Sequence, residues 1–254
     1  MNKVIPELWF SAEEYQARIS KIQNKINDLK LDALIVFFPE SVTWATGFFT
    51  RGYSSFQFAI IPASGQSHIV CRDVEEFYIK KTTQYSSYTL WNDSDDKVSI
   101  AARAIESVLG KQSTVAIEEH AWSLSVAKYR EIRNRLTGYK WQDGSDIVSD
   151  LRLIKSAAEI KYQKRAGHAA EMGMSAAIEM AIPGNSERDM AANVCSEMII
   201  SGSDRAGPGV LSSGERAMYL HGGFNDRVFK EKDKIQLETT PHVKYYHARF
   251  MRPI

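Results

Sequence analysis

The stretch Asp150-Leu-Arg-Leu-Ile-Lys-Ser-Ala-Ala-Glu-Ile160 decides how the chain divides. Its second half holds a capping box, Ser156-Ala-Ala-Glu159. The serine hydroxyl can accept an otherwise unpaired helical N–H, and the glutamate three residues on can reciprocate. This predicts a long helix from Ala157 to Met180, stopped at Ile182-Pro-Gly184, because proline cannot continue a helix and glycine tolerates the left-handed turn after it. Upstream, Gly144-Ser-Asp146 interrupts the apolar periodicity, so a joint falls between 144 and 156 and separates residues 1–150 from 151–254. Downstream, Ser186-Glu-Arg-Asp189 opens a second helix that ends at Ser201-Gly202. Gly-rich loops follow, then a strand Lys234-Ile-Gln-Leu-Glu238 and a second strand predicted as one piece from Val243 to Met251. Two helices and two or three strands are too few to close a core, so this part reads as half of a domain.

The first 150 residues alternate helix and strand signals. Ser11-Ala-Glu-Glu14 is another capping box, and Tyr15, Ile19, Ile22 and Ile26 follow at helical spacing. Leu34-Ile-Val-Phe-Phe38 is a strand-sized apolar run ended by Pro39. Phe56–Ile61 and His68–Cys71 flank the turn Pro62-Ala-Ser-Gly65, a hairpin pattern. Helical patterns cover Asp73–Lys81, Lys97–Leu109 and Ser125–Leu136, with a strand at Thr114–Ile117. Strands separated by helices predict an α/β layered domain.

Composition narrows the function classes. Among 254 residues, 32 Lys and Arg face 31 Asp and Glu, a net charge of +1. Without a basic stripe or tail, nucleic acid and membrane surfaces are not expected partners. The longest apolar run, Ala33–Phe38, is far short of a spanning helix, and Glu7, Glu13 and Glu14 leave no apolar signal core at the N-terminus. Cys71 and Cys195 do not form a C-x-x-C pair. Together these predict a reduced, cytoplasmic setting with both thiols packed as small apolar groups. Gly202, Gly207, Gly209 and Gly214 match no phosphate-binding loop, so a nucleotide site is not expected.

The order of several short motifs resembles the creatinase/prolidase (pita-bread) superfamily. They are Glu14-Tyr15 with Arg18, Asp32-Ala-Leu-Ile-Val36, Trp44-Ala-Thr-Gly47, Ala116-Ile-Glu118, the 151–160 stretch, Pro183-Gly184 with Ser186-Glu187, His221 twelve residues before Asp233, and Tyr245-Tyr246-His247. The resemblance implies an α/β N-terminal domain that helps form a homodimer, followed by an α+β pita-bread catalytic domain. It implies also that the chain stops short of that domain's C-terminal half, which in the family carries further carboxylates and another histidine. On that expectation the isolated 254 residues are a poor catalyst and self-associate through an uncovered apolar half-sheet. Robust turnover of creatine, ectoine or an Xaa-Pro dipeptide by this chain would refute it.

Two chemistries diverge within the superfamily. The peptidase branch holds two divalent ions (Mn, Zn or Co) on two Asp, one His and two Glu. The positions matching its two aspartates are Glu238 and Arg249. A guanidinium stays protonated and has no lone pair for a metal. Its charge would oppose a cation by several kcal/mol even at an effective dielectric of ~20. The expectation is therefore no cofactor, and membership of the metal-free branch of creatinase- and ectoine-hydrolase-like enzymes, which open C–N bonds in small nitrogenous metabolites. Tyr246-His247-Ala248 with Arg252 looks more like that branch.

In creatinase the residue matching His221 is the acid/base, a role that suits a side chain whose ordinary pKa lies near ~6.5. Glu238 is its expected catalytic neighbour, able to hydrogen-bond or relay protons if a dry pocket raises its pKa; the bland alternative is a carboxylate facing solvent on the alternate pleat. Arg51 and Tyr53 lie in the loop that creatinase-like dimers extend to the neighbour's substrate, and His247 and Arg252 complete the substrate-binding candidates. Arg252 would orient a carboxylate or the fold; His247 and His242 could equally be surface residues of an edge strand. Two rival readings stay open: a metal-dependent Xaa-Pro dipeptidase or aminopeptidase, and a non-catalytic relative acting as a dimerising or binding module.

Overall fold

The computed structural model describes residues 7–83 and 87–254. The chain divides after Ile154 into two compact units. Among the described residues no helix is long and apolar enough to cross a membrane.

The first unit runs α1 (Ala12–Asp28), β1 (Ala33–Val36), α2 (Pro39–Thr46), β2 (Phe58–Pro62), β3 (His68–Arg72), α3 (Glu76–Thr82), β4 (Ser87–Trp91), α4 (Lys97–Leu109), β5 (Thr114–Ile117), α5 (Val126–Arg135), β6 (Lys140–Asp143) and α6 (Ser145–Leu153). Its strands form one sheet in the order β4-β3-β2-β1-β5-β6, with β1 antiparallel to β2 and parallel to β5. Side chains alternate across a strand, so each face of the sheet has its own core. Ile35, Phe58, Ile60 and Ile117 pack with α4 and α5, while Leu34, Val36, Ile61 and Ile69 pack with α1, α2 and α6. Burial on both faces explains the uninterrupted apolar run of β1. The hairpin, α4 and β5 lie where the pattern places them. Two strands without an apolar signal, β4 and β6, form the sheet's two edges, where less of each side chain is covered. Helix α2 was hidden behind Pro39, which ends the strand run yet occupies the first helical turn, where its missing N–H costs nothing.

Phe38 offers α2 no side-chain cap. The cap comes instead from Glu118 at the end of β5, which accepts the N–H groups of Phe37 and Phe38 at 2.7 Å each. Burial pushes the Glu118 carboxyl up to about 7. A raised folded-state pKa stabilises the fold fully below the unfolded value, and this contribution is lost as pH rises through the folded one. The first unit should therefore lose stability on the order of 3 kcal/mol between about pH 4.5 and 7, and Glu118→Gln should flatten that dependence. All five tryptophans lie in this unit, so urea titrations followed by tryptophan fluorescence at several pH values report on it. An equally steep loss in Glu118→Gln would exclude Glu118 as the cause.

The second unit comprises α7 (Ala157–Met180), α8 (Glu187–Ile200), β7 (Pro208–Ser213), β8 (Ile235–Thr239), β9 (His242–Val243), β10 (Tyr246–His247) and β11 (Phe250–Pro253). The predicted capping box of Ser156 with Glu159 forms, and the helix start at Ser186 proves to be a second one, with Asp189. Strands β7 and β11 flank β8 in an antiparallel sheet, and β9 and β10 form a small hairpin. Met174, Val194 and Met198 of the helices meet Leu211, Ile235 and Leu237 of the sheet in one apolar cluster. Two sequence expectations are corrected here. The Gly-rich stretch after Gly202 contains β7. The single strand from Val243 to Met251 is broken into three, because Lys244 and Tyr245 adopt left-handed φ values of 49° and 61° and fold β10 back on β9. Non-glycine residues rarely visit that region, so nothing in the local sequence announces the turn.

Candidate active site

Along β8, Leu237 and Thr239 point to the helices; the Thr239 hydroxyl donates to the Ala170 carbonyl at 3.3 Å. Glu238 points to the opposite face, as an alternating strand requires. It does not face solvent, however: only 4% of the residue is exposed. Its Oε2 accepts the Val210 N–H at 3.4 Å, and its Oε1 accepts the Arg249 Nε–H. Gly209 lies in the register irregularity of β7 between Pro208 and Leu211. A Cβ there would overlap the Glu238 carboxylate, so this close approach requires glycine.

His221 lies in the loop that follows a short helical turn, Gly214–Met218. Glu187, the first residue of α8, is fully buried and clasps that loop on both sides of the histidine. It accepts the Ser213 N–H and hydroxyl at 2.8 Å each, Arg216 Nη1 at 2.5 Å and the Asn225 N–H at 2.8 Å. Arg216 also donates Nη2 to the Gly223 carbonyl at 2.8 Å. Farther along, Arg227 forms a two-bond pair with Asp233 at 2.5 and 3.0 Å. That pairing holds the Asp233 carboxyl below the usual carboxylate range. The loop returns to the sheet at Gly222, whose carbonyl accepts the Leu211 N–H at 3.1 Å and whose Cα lies over Ser212. Ser212 pairs with Gln236, two residues from Glu238, so the His221 loop borders the outer edge of the sheet that holds Glu238. The His221 imidazole itself is exposed and has no hydrogen-bond or ion-pair partner among the described residues.

The β9–β10 hairpin sets His242 opposite His247, with ring centroids 4.9 Å apart. His242 is buried beneath Tyr245, which corrects the surface reading of this residue. His247 is exposed. Its neighbour Tyr246 donates its hydroxyl to Glu159 at 2.7 Å and stacks on Tyr162, tying the hairpin to the start of α7. Arg252 sits opposite Leu237 on β11, exposed, with no side-chain partner among the described residues. Arg51 and Tyr53 belong to the first unit, exposed in the loop between α2 and β2, where Tyr53 meets Trp122 edge-on at 6.3 Å. The sequence reading missed Glu187 as an anchor, because Ser186-Glu-Arg-Asp189 is fully accounted for as a helix start. It also missed Gly209 and the Arg249–Glu238 pair, which depend on strand register.

Residues 18–154 match the Creatinase/Prolidase N-terminal domain, and residues 161–254 match Metallopeptidase family M24. The chain belongs to the creatinase/prolidase family. It is 27% identical to an uncharacterized hydrolase/peptidase of Sinorhizobium fredii, over 97% of this chain and 67% of that protein. It is 22% identical to an ectoine hydrolase of Halomonas elongata (96% and 66%) and 28% identical to an Xaa-Pro dipeptidase of Pyrococcus horikoshii (52% and 38%). The chain thus spans about two thirds, or less, of the length of these relatives. In structure it resembles a prolidase from Thermococcus sibiricus, with TM-score 0.82 and 21% identity over 96% of this chain and 66% of that one. A dipeptidase PepE from Mycobacterium ulcerans gives 0.79 and 20% over 96% and 65%. The fold is therefore an α/β unit followed by the pita-bread type of α+β unit.

A metallopeptidase family implies divalent ions, and the residues on this face do not fit them. The Glu238 carboxylate is engaged by a guanidinium, which has no lone pair to donate to a metal.

Proposed function

We propose that the protein is a hydrolase that opens a C–N bond in a small amino-acid-like metabolite without a resident metal ion, using His221 as general acid/base. The observation that carries the reading is the Arg249–Glu238 pair, a permanent positive charge lodged on a buried carboxylate of the sheet that the His221 loop borders. Exposed and unpartnered, His221 is open to water and substrate. It would take a proton from water as the oxygen bonds to the substrate carbon, then return that proton to the departing nitrogen. Glu238 would fix Arg249. His247 would contact substrate from the second unit, Arg252, paired with Leu237, would serve the fold from the opposite face of the sheet, and Arg51 and Tyr53 would serve the neighbouring subunit's site in a homodimer.

The test is to strip the purified protein with EDTA, measure residual Mn, Zn and Co, and assay ectoine, creatine and Xaa-Pro dipeptides with and without added metal. The expected result is no stoichiometric metal and, for the slow turnover expected of these 254 residues, a rate that stripping and added metal leave unchanged. A stoichiometric metal ion, or Xaa-Pro cleavage that depends on one, would overturn the metal-free reading in favour of a dipeptidase. The M24 match and the Pyrococcus relative speak for that second reading.

A further inference from the structure

Arg249 is held in a way that leaves four of its five N–H donors unused. Its Nε–H is committed to Glu238, whose carboxylate is fixed in turn by β8, the Val210 N–H and the close approach of Gly209. The Glu238 side chain is 6% exposed, whereas that of Arg249 is 69% exposed. Neither Nη group of Arg249 has a hydrogen-bond or ion-pair partner among the described residues. A guanidinium is planar, so fixing Nε orients the Nη1–Nη2 edge, whose parallel N–H groups match the two oxygens of a carboxylate or phosphate. A free surface arginine must lose rotamer freedom to present that edge, and anchoring reduces this loss before any ligand arrives.

We infer that the Nη edge of Arg249 binds an oxyanion of the substrate, a carboxylate or a phosphate group, beside Glu238 on the sheet that the His221 loop borders. This rests on the hydrolase reading of that site and deepens it: the substrate is anionic, with its scissile C–N bond within reach of a group anchored at Arg249. Neutral amides of the same size are poor ligands.

Nitrogen-15 NMR of the full chain tests this at the residue. The Arg249 Nε–H signal is assigned by its loss in Arg249→Lys, and unchanged backbone amide signals elsewhere establish that this variant is folded. The probes are N-acetylglycinate, its neutral counterpart N-acetylglycinamide, and inorganic phosphate. The expected result is a saturable shift of the Arg249 signal with N-acetylglycinate, none with the amide, and at least about tenfold weaker anion binding by Arg249→Lys, because lysine lacks the two-pronged edge. Phosphate shifting the signal at lower concentration than the carboxylate would identify a phosphate ester as the anion. Equal responses to the acid and the amide, or anion binding by Arg249→Lys within about twofold of wild type, would overturn the inference. Turnover separates this from the hydrolase reading. Anion binding without cleavage of any C–N substrate sustains the inference and sinks the reading. Equal turnover of neutral and anionic substrates does the reverse.

Discussion

Glu187→Ala should destabilise the second unit by about 3–5 kcal/mol, the usual cost of removing one partner from a buried, hydrogen-bonded ion pair. Glu187 is fully buried and accepts four hydrogen bonds, one of them from Arg216. Its loss leaves the Ser213 and Asn225 N–H groups and a guanidinium without their acceptor. Because the second unit has no tryptophan, the measurement is amide hydrogen exchange by mass spectrometry, read on peptides covering 207–229. Exchange there should rise steeply while peptides of the first unit stay unchanged. Arg216→Met in the Glu187→Ala background should recover part of the loss, because it removes the stranded cation. A loss below about 1 kcal/mol would mean that Glu187 does not anchor the loop. The same variant should lower turnover, because the residues it releases flank His221.

His221→Asn should separate chemistry from stability. The imidazole is exposed and unpartnered among the described residues, so unfolding free energy should stay within about 0.5 kcal/mol of wild type. Turnover of a C–N substrate should fall by ~10²–10⁴, the usual contribution of a positioned general acid/base. The readout is kcat with circular dichroism as a control for folding. A folded His221→Asn variant that keeps kcat within about tenfold would remove His221 from the mechanism. The Glu187→Ala and His221→Asn results then distinguish a residue that positions the loop from one that reacts.

Much of the fold was legible because its signals are local. The capping box at Ser156, the helix start at Ser186, the terminator Ile182-Pro-Gly184, the hairpin around Pro62–Gly65 and the apolar run of β1 are each signals within a few residues, and each formed as read. The failures share a different cause. Strands β4 and β6 are edge strands with little apolar pattern, and the left-handed pair Lys244-Tyr245 is a backbone choice that side-chain chemistry does not announce.

The sequence by itself determined the division of the chain, the order of its caps and strands, and the presence of His221, Glu238 and a non-ligating Arg249, because these follow from residue identity and spacing. Only the tertiary structure decided that Glu238 is buried and held by Arg249, that Gly209 makes room for its carboxylate, and that Glu187 clasps the His221 loop. Those contacts join positions as far apart as Glu187 and Asn225, or Gly209 and Glu238. They come from strand register and helix packing, and a carboxylate that is solvated when read alone becomes an anchor once the neighbouring strands close around it.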